Sequence, residues 1–266
     1  MNIDLTDKTA IVTGSTGGIG LAIAAGLARA GARVVVVGRT SDGVDDALKK
    51  LADATATGRG DVRGAVADVG TAEGCAALIA AEPDADILVN NLGIYGGREF
   101  FDIADADWEE IFRVNVMSGV RLARHYARGM RDRGWGRIQF ISSESALNIP
   151  VEMVHYGVSK AAVQAVARGL AKVLAGSGVT VNSILPGPTR TEGAVAMMRR
   201  LAEERGVGVS EMEAIFLREN RPSTLLGRFA DPDEVAAMSV YIASPQASAT
   251  TGAALRVEGG IVESIA

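Results

Sequence analysis

Short apolar runs recur along the chain, with longer stretches of helical periodicity between them. The runs are "TAIVTG" (9–14), "ARVVVVG" (32–38), "VRGAVAD" (62–68), "DILVNN" (86–91), "GRIQFIS" (136–142) and "VTVNSIL" (179–185). Their near-continuous valine, isoleucine and leucine content suits parallel strands buried on both faces. Between them lie helical patterns such as "GIGLAIAAGLARAG" (18–31) and "WEEIFRVNVMSGVRLARHYARGM" (108–130). A seventh run, "GAALRVEGG" (252–260), completes the set. Strand–helix alternation over the whole length predicts an α/β fold, a doubly wound seven-stranded parallel sheet with helices on both faces. No repeat or linker interrupts the rhythm, so a single domain over residues 1–266 is expected. Only 187–230 departs from it, with helical patches in place of strands.

Composition narrows the functional classes. Of 266 residues, 48% are hydrophobic and 22% charged, which supports a large core. The net charge of −5 and the scatter of both signs argue against a nucleic-acid partner. One cysteine, Cys75, allows no internal disulfide, and two histidines, His125 and His155, make no convincing metal site, so no metal is expected. The start "MNIDLTDKTAIVTG" has three charges before residue 10 and does not resemble a signal peptide. No run reaches the roughly 18 apolar residues of a membrane span. The expectation is a cytoplasmic protein with no membrane partner.

"TGSTGGIG" (13–20) follows the first strand and opens the first helix. Gly14, Gly18 and Gly20 let the backbone turn tightly, and the helix N-terminus presents free N–H groups to a pyrophosphate. The same glycines would also serve a turn that only packs helix on strand. After the second strand comes Arg39, where dinucleotide-binding sites of the Rossmann type often place an acid for the ribose 2′-hydroxyl. An arginine fork would instead bind a 2′-phosphate, which points to NADP(H); a solvated surface arginine is the alternative. Asp68 could accept from an adenine amino group or serve as a turn residue before a helix.

"VNVMSG" with Asn115, "ISSES" with Ser143, and "YGVSK" with Tyr156 and Lys160 add the chemistry. Together with "TGSTGGIG", "NNLG" (90–93) and "PGPTRT" (186–191) they resemble the short-chain dehydrogenase/reductase family over nearly all of the chain, in its 3-oxoacyl-carrier-protein reductase-like branch. The resemblance implies a single-domain Rossmann fold. It also implies a catalytic set of Asn115, Ser143, Tyr156 and Lys160, and interconversion of a carbonyl and a secondary alcohol by hydride transfer. Cofactor contacts are implied at Gly14, Ser15, Thr16, Gly18, Ile19, Gly20, Arg39, Asp68, Val69, Asn91, Gly93, Tyr156, Lys160, Pro186, Gly187, Thr189 and Thr191. NADP is the expected cofactor, with NAD as second choice, since Gly17 stands where many NADP-dependent relatives carry a basic residue.

Tyr156 and Lys160 are one helical turn apart and share a face. A free tyrosine has a pKa near ~10, and lowering it by about three units costs ~4 kcal/mol. One cation about 4 Å away at an effective dielectric near 20 supplies ~4 kcal/mol, so Lys160 and the charge of the oxidised nicotinamide ring together are expected to make the phenolate accessible. Ser143 would stabilise charge on the substrate oxygen, and Asn115 is implied in a water relay through the lysine. Glu144 could face the pocket or be a solvated loop acid. His155, His125, Trp108, Trp135 and Cys75 are expected in packing, wall or interface positions. Leu92 and Glu258 replace the family's usual alanine and aspartate.

The substrate could be a 3-oxoacyl thioester or related ketone, or a sugar or polyol. A catalytically silent protein that senses a nicotinamide cofactor is the competing class, and the presence of Tyr156 argues against it. Small residues in "SKAAVQAVARGLAKVLAG" favour close helix packing, so a homotetramer is expected. Residues 190–228, rich in Met197, Met198, Met212, Phe216 and Leu217, are expected to form a lid over an apolar part of the substrate. A fixed insertion packed on a neighbouring subunit is the alternative. "DPDE" (231–234) should cap the next framework helix.

Overall fold

The computed structural model describes residues 2–55 and 60–265. Seven strands form one parallel sheet: β1 (Thr9–Thr13), β2 (Arg33–Gly38), β3 (Asp61–Val66), β4 (Ile87–Asn90), β5 (Gly136–Ile141), β6 (Val179–Pro186) and β7 (Ala254–Val257). Their order is β3-β2-β1-β4-β5-β6-β7. The direction of winding reverses between β1 and β4, and open α/β sheets open a ligand crevice at the carboxyl end of such a switch.

The helices are α1 (Gly18–Arg29), α2 (Ser41–Thr55), α3 (Ala72–Ala81), α4 (Asp105–Phe112), α5 (Ser118–Asp132), α6 (Val154–Val173), α7 (Glu192–Arg205), α8 (Val209–Asn220) and α9 (Pro232–Ala243). One face of the sheet is covered by α1, α2 and α9, with Ile23, Leu27, Leu51 and Val235 packed on Val34 and Val36. The other carries α3, α5 and α6, with Leu78, Leu122, Met130 and Val163 packed on Val35, Leu88 and Ile138. Alternate residues of each strand therefore feed two separate cores. Each buried valine or leucine contributes about 2 kcal/mol, which explains why the apolar runs mark the strands so clearly.

Three boundaries differ from the sequence pattern. β3 ends at Val66 rather than 68, where Asp68 Oδ1 accepts from Gly70 N at 3.1 Å and turns the chain. β7 is confined to Ala254–Val257 because Gly252 and Gly259 flank it in left-handed conformations, φ 69° and 71°. The pattern over 108–130 is not one helix. A π-helical turn, Arg113–Met117, separates α4 from α5 and carries Asn115 at its centre. Such wide turns bulge one residue out of the helical ladder and recur at functional sites. The capping expectation at 231–234 holds: Asp231 caps α9, Pro232 opens it, and Glu234 bonds back to Asp231 N at 2.8 Å.

Candidate active site

A cleft of about 900 Å³ opens at the carboxyl edge of the sheet, lined by the glycine loop, the ends of β4, β5 and β6, and the faces of α6, α7 and α8. No helix is long and apolar enough to cross a membrane, and no cluster of metal-binding side chains exists among the described residues.

The glycine loop is held from behind. Asn91 Nδ2 donates to Thr13 O at 2.9 Å and to Gly14 O at 3.0 Å, while Thr13 Oγ1 accepts from the amides of Asn91 and Leu92 at 3.0 Å each. A Cβ on Gly20 would stand 2.5 Å from both Asn91 Nδ2 and Gly14 O, so no larger residue fits there. Gly18, Ile19, Gly20, Asn91 and Gly93 line the cleft, as do Pro186, Gly187, Thr189 and Thr191 on the opposite side. Thr191 caps α7, accepting from Ala194 N at 3.2 Å, and Thr189 Oγ1 donates to Gly187 O at 2.9 Å. Leu92 packs against the core rather than into the cleft, and buried Glu258 ties the turn after β7 by accepting from the amides of Ile261 and Val262.

Some expected cofactor contacts sit elsewhere. The Ser15 side chain is fully buried: its Oγ donates to Val12 O at 2.6 Å and accepts from Val37 N at 3.0 Å. It joins β1 to β2 and has no hydroxyl to offer a ligand. The Val69 side chain belongs to the core, and Thr16 packs against Gly38 at the end of β2. Asp68 is exposed and acts as the turn residue already described. Arg39 is exposed just past β2 with no partner among the described residues, which leaves its fork available to an anion. The loop amides, the tight approach at Gly20 and this uncommitted guanidinium fit a dinucleotide carrying a 2′-phosphate.

The four catalytic candidates converge. Ser143 follows β5, while Tyr156 and Lys160 stand on α6, all three lining the cleft. Asn115 bonds Ile94 through both amide atoms: Nδ2 donates to Ile94 O at 2.9 Å and Oδ1 accepts from Ile94 N at 2.7 Å. Its Nδ2 also reaches Ser159 Oγ at 3.0 Å. The π-helical turn thus clamps the loop after β4 onto α6. Gly93 lies beside both Lys160 Nζ and Asn115 Oδ1.

Burial dominates the electrostatics of the Tyr156–Lys160 pair. Lys160 Nζ donates to Ile141 O at 2.9 Å and stands 5.7 Å from the Tyr156 ring centre. Burial pulls the Lys160 ammonium down to about 8. Burial also pushes the Tyr156 phenol well above its ordinary range, with the bond to Ser143 opposing and the Glu144 charge adding. Without the nicotinamide charge, desolvation of the phenol outweighs a cation at this distance. Tyr156 is held as a phenol, the form that donates a proton.

Sequence reasoning missed Arg221 and Glu192 and left Glu144 between two readings. Glu144 is not a solvated loop acid: it is 3% exposed and lines the cleft. Its Oε1 accepts from Arg221 Nε at 2.7 Å, and its Oε2 accepts from Ser143 Oγ at 2.5 Å, Ser145 N at 2.6 Å and Ser145 Oγ at 2.9 Å. Arg221, at the end of α8, is 8% exposed. Glu192, at the start of α7, accepts from Gly18 N at 2.9 Å across the cleft. An acid directly after a catalytic serine needs a counter-charge, and that requirement was the one available signal for Arg221. His155 is buried against Trp108, ring centres 6.0 Å apart, and its basicity is lowered by burial. It does not line the cleft. Cys75 is buried in the core, and Trp135 packs under Lys8 and Arg137.

The sequence family described as enoyl-(acyl carrier protein) reductase matches residues 14–262. The chain belongs to the short-chain dehydrogenase/reductase family. Its relatives in that family include the uncharacterized oxidoreductase YvaG of Bacillus subtilis, 44% identical over the whole of both chains. The 3-oxoacyl-[acyl-carrier-protein] reductase FabG of Aquifex aeolicus is 31% identical, over 98% of this chain and 100% of its own. Among solved structures, L-sorbose reductase from Gluconobacter frateurii, complexed with NADPH and L-sorbose, superposes with a TM-score of 0.92 at 32% identity over all of both chains. The sevenfold parallel sheet is the family's architecture, and the oxidoreductase assignment follows from membership.

Proposed function

We propose that this short-chain dehydrogenase/reductase is an NADP(H)-dependent oxidoreductase that interconverts a ketone and a secondary alcohol. The observation that carries the reading is the convergence of Ser143, Tyr156 and Lys160 on one cleft with the glycine loop. When bound, the nicotinamide cofactor supplies or accepts the hydride. The glycine loop and the start of α1 would hold its pyrophosphate, Arg39 its 2′-phosphate, Lys160, Thr189 and Thr191 its nicotinamide half, and Asn91 would lie beside its adenine ribose. Tyr156 OH donates the proton to the substrate oxygen in reduction and takes it back in oxidation. Lys160 places a positive charge beside that phenol. Asn115 holds the loop after β4 against α6 and so fixes the spacing between glycine loop and lysine.

NADP(H) is favoured over NAD(H) by Arg39, and relatives solved with NADPH or NADP support the choice. Relatives described as ketoacyl reductases and as sugar or polyol dehydrogenases both occur at similar identity, 34% and 37% in two examples, so likeness alone does not choose the ketone. The proposed assembly is a cytoplasmic homotetramer built on α4–α5, α6 and β7. α7 and α8, within 190–228, are proposed as a lid. Met197, Met212 and Phe216 face the cleft from it, while Met198 and Leu217 turn inward to a satellite core with Phe229.

The test is a panel of ketones and alcohols assayed by nicotinamide absorbance with both cofactors. Turnover with NADPH is expected, and Arg39→Asp should lower kcat/KM with NADPH by about 10- to 100-fold, the worth of one charged hydrogen-bonded contact. A wild-type protein that prefers NADH overturns the cofactor choice. Tight cofactor binding with no turnover of any ketone overturns the enzyme in favour of a sensor.

A further inference from the structure

The Glu144–Arg221 pair has no role in the proton and hydride chemistry, yet it lies in the cleft against the catalytic serine. Both partners are more than nine-tenths buried. The carboxylate is fully engaged by Arg221, Ser143 and Ser145. The guanidinium is not. Arg221 Nε bonds Glu144 and Nη1 bonds Asn220 O at 2.7 Å, but Nη2 has no partner among the described residues, and the residue lines the cleft. A guanidinium donor left open on a largely buried, cleft-lining side chain is available to a ligand acceptor.

The serine carries the second half of the argument. To stabilise a ketone oxygen, Ser143 must donate its hydroxyl proton to it. That proton is already donated in a hydrogen bond to Glu144 Oε2, 2.5 Å away. A plain ketone could recruit Ser143 only by stripping a donor from a buried carboxylate. A ketone with a hydroxyl on the adjacent carbon carries a replacement: its O–H donates to Glu144, its oxygen accepts from Arg221 Nη2, and Ser143 turns to the carbonyl. Glu144 and Arg221 offset one another's charge, so the pair suits a neutral hydroxyl better than a carboxylate or an acyl chain.

We propose that Glu144 and Arg221 are the specificity-determining residues of this site and that they select α-hydroxyketones, or vicinal diols in the oxidative direction. The proposal rests on the reductase reading above and narrows it from ketones in general to hydroxylated ones.

Erythrulose and butan-2-one share one four-carbon skeleton and differ in hydroxyl groups alone, and acetoacetyl-coenzyme A represents the 3-oxoacyl thioesters. With NADPH, wild-type kcat/KM for erythrulose should exceed that for butan-2-one by at least about a hundredfold, as expected of a site built around a substrate hydroxyl. Glu144→Ala frees Ser143 for any ketone, so the preference should fall to within about tenfold, mainly by loss on erythrulose. Arg221→Met should raise KM for erythrulose more than it lowers kcat, and Arg221→Lys should restore part of the loss. NADPH binding followed by fluorescence should be unchanged in all three. Equal or better wild-type turnover of butan-2-one or acetoacetyl-coenzyme A overturns the proposal, and this result needs no variant to fold. Survival of the preference in Glu144→Ala overturns it as well. Either result leaves an active ketone reductase, whereas inactivity on every ketone would strike the reductase reading itself.

Discussion

Ser143, Tyr156 and Lys160 stand on the end of β5 and on α6, whereas Met197, Met212 and Phe216 stand on α7 and α8, and different forces hold these two walls of the cleft. The first wall is part of the sheet's own core. α6 buries Val163, Ala167 and Ala171 against it, and the ammonium of Lys160 is bonded to the backbone of β5. The second wall packs mostly on itself, through Met198, Ala202, Met212, Leu217 and Phe229. Charges moor it to the rest: Arg190 to Asp231 at 3.0 Å, Arg228 to Glu234 at 2.8 Å, and Arg221 to Glu144 at 2.7 Å. The two exposed pairs contribute up to about 1 kcal/mol each, far less than a shared apolar core, while the buried Arg221–Glu144 pair costs about 3–5 kcal/mol to break on one side. The proposed proton donor thus stands on a wall tied into the sheet's core, and the second wall is tied to it mainly through charges.

Breaking the rigid wall should have the largest effect. Tyr156→Phe removes the proton donor and should lower kcat about a thousandfold while NADPH still binds. Activity within tenfold of wild type would move the acid/base role elsewhere, and buried His155, set against Trp108 and off the cleft, is poorly placed to take it.

Next in size is the stability held in Lys160. Its folded value of about 8 lies below the ordinary lysine value near 10.4. Between these the unfolded chain binds the extra proton, so the contribution of this group to stability rises with pH across that window. Below about pH 8 the full penalty of the buried ammonium is present. Lys160→Met should therefore be more stable than wild type near neutrality. That advantage should shrink by about 3 kcal/mol from pH 8 to 10.5 in denaturant titrations. A constant difference over that range would show that the ammonium is solvated.

The second wall should give the smallest effects. Amides of α7 and α8 should exchange faster than those of α6 in the free protein. They should slow by about tenfold when NADP⁺ and a substrate analogue are present, the equivalent of about 1.4 kcal/mol of closure. Strong and equal protection in both states would make the segment a fixed insertion and remove the contrast between the walls.

The same contrast governs what the sequence discloses. β2 is legible because Val34–Val37 are buried on both faces, and Tyr156 and Lys160 are legible because helical spacing alone puts them on one face. Local patterns report local geometry. Glu144 and Arg221 are 77 residues apart, and nothing near either shows that they meet. Glu144 has the composition of a surface turn until α8 covers it. Ser15 fails in the opposite direction, since its place in a ligand loop conceals a side chain committed to β1 and β2. The π-helical turn is invisible because periodicity continues on both sides of it; only the bonds from Asn115 to Ile94 and Ser159 reveal why the helix widens.

The bonds from Asn91 to Thr13 and Gly14 also have a consequence for how the protein assembles. They join positions 77 and 78 residues apart, through the pairing of β4 with β1. A nascent chain that has released only its first two strands carries the whole glycine run but not the amide that braces it. Contacts of such long sequence separation form late, after the cost of closing a large loop is met. The nucleotide cradle is therefore among the last parts of the amino-terminal half to become competent, and ligand capture during refolding would time the docking of β4 rather than the formation of α1.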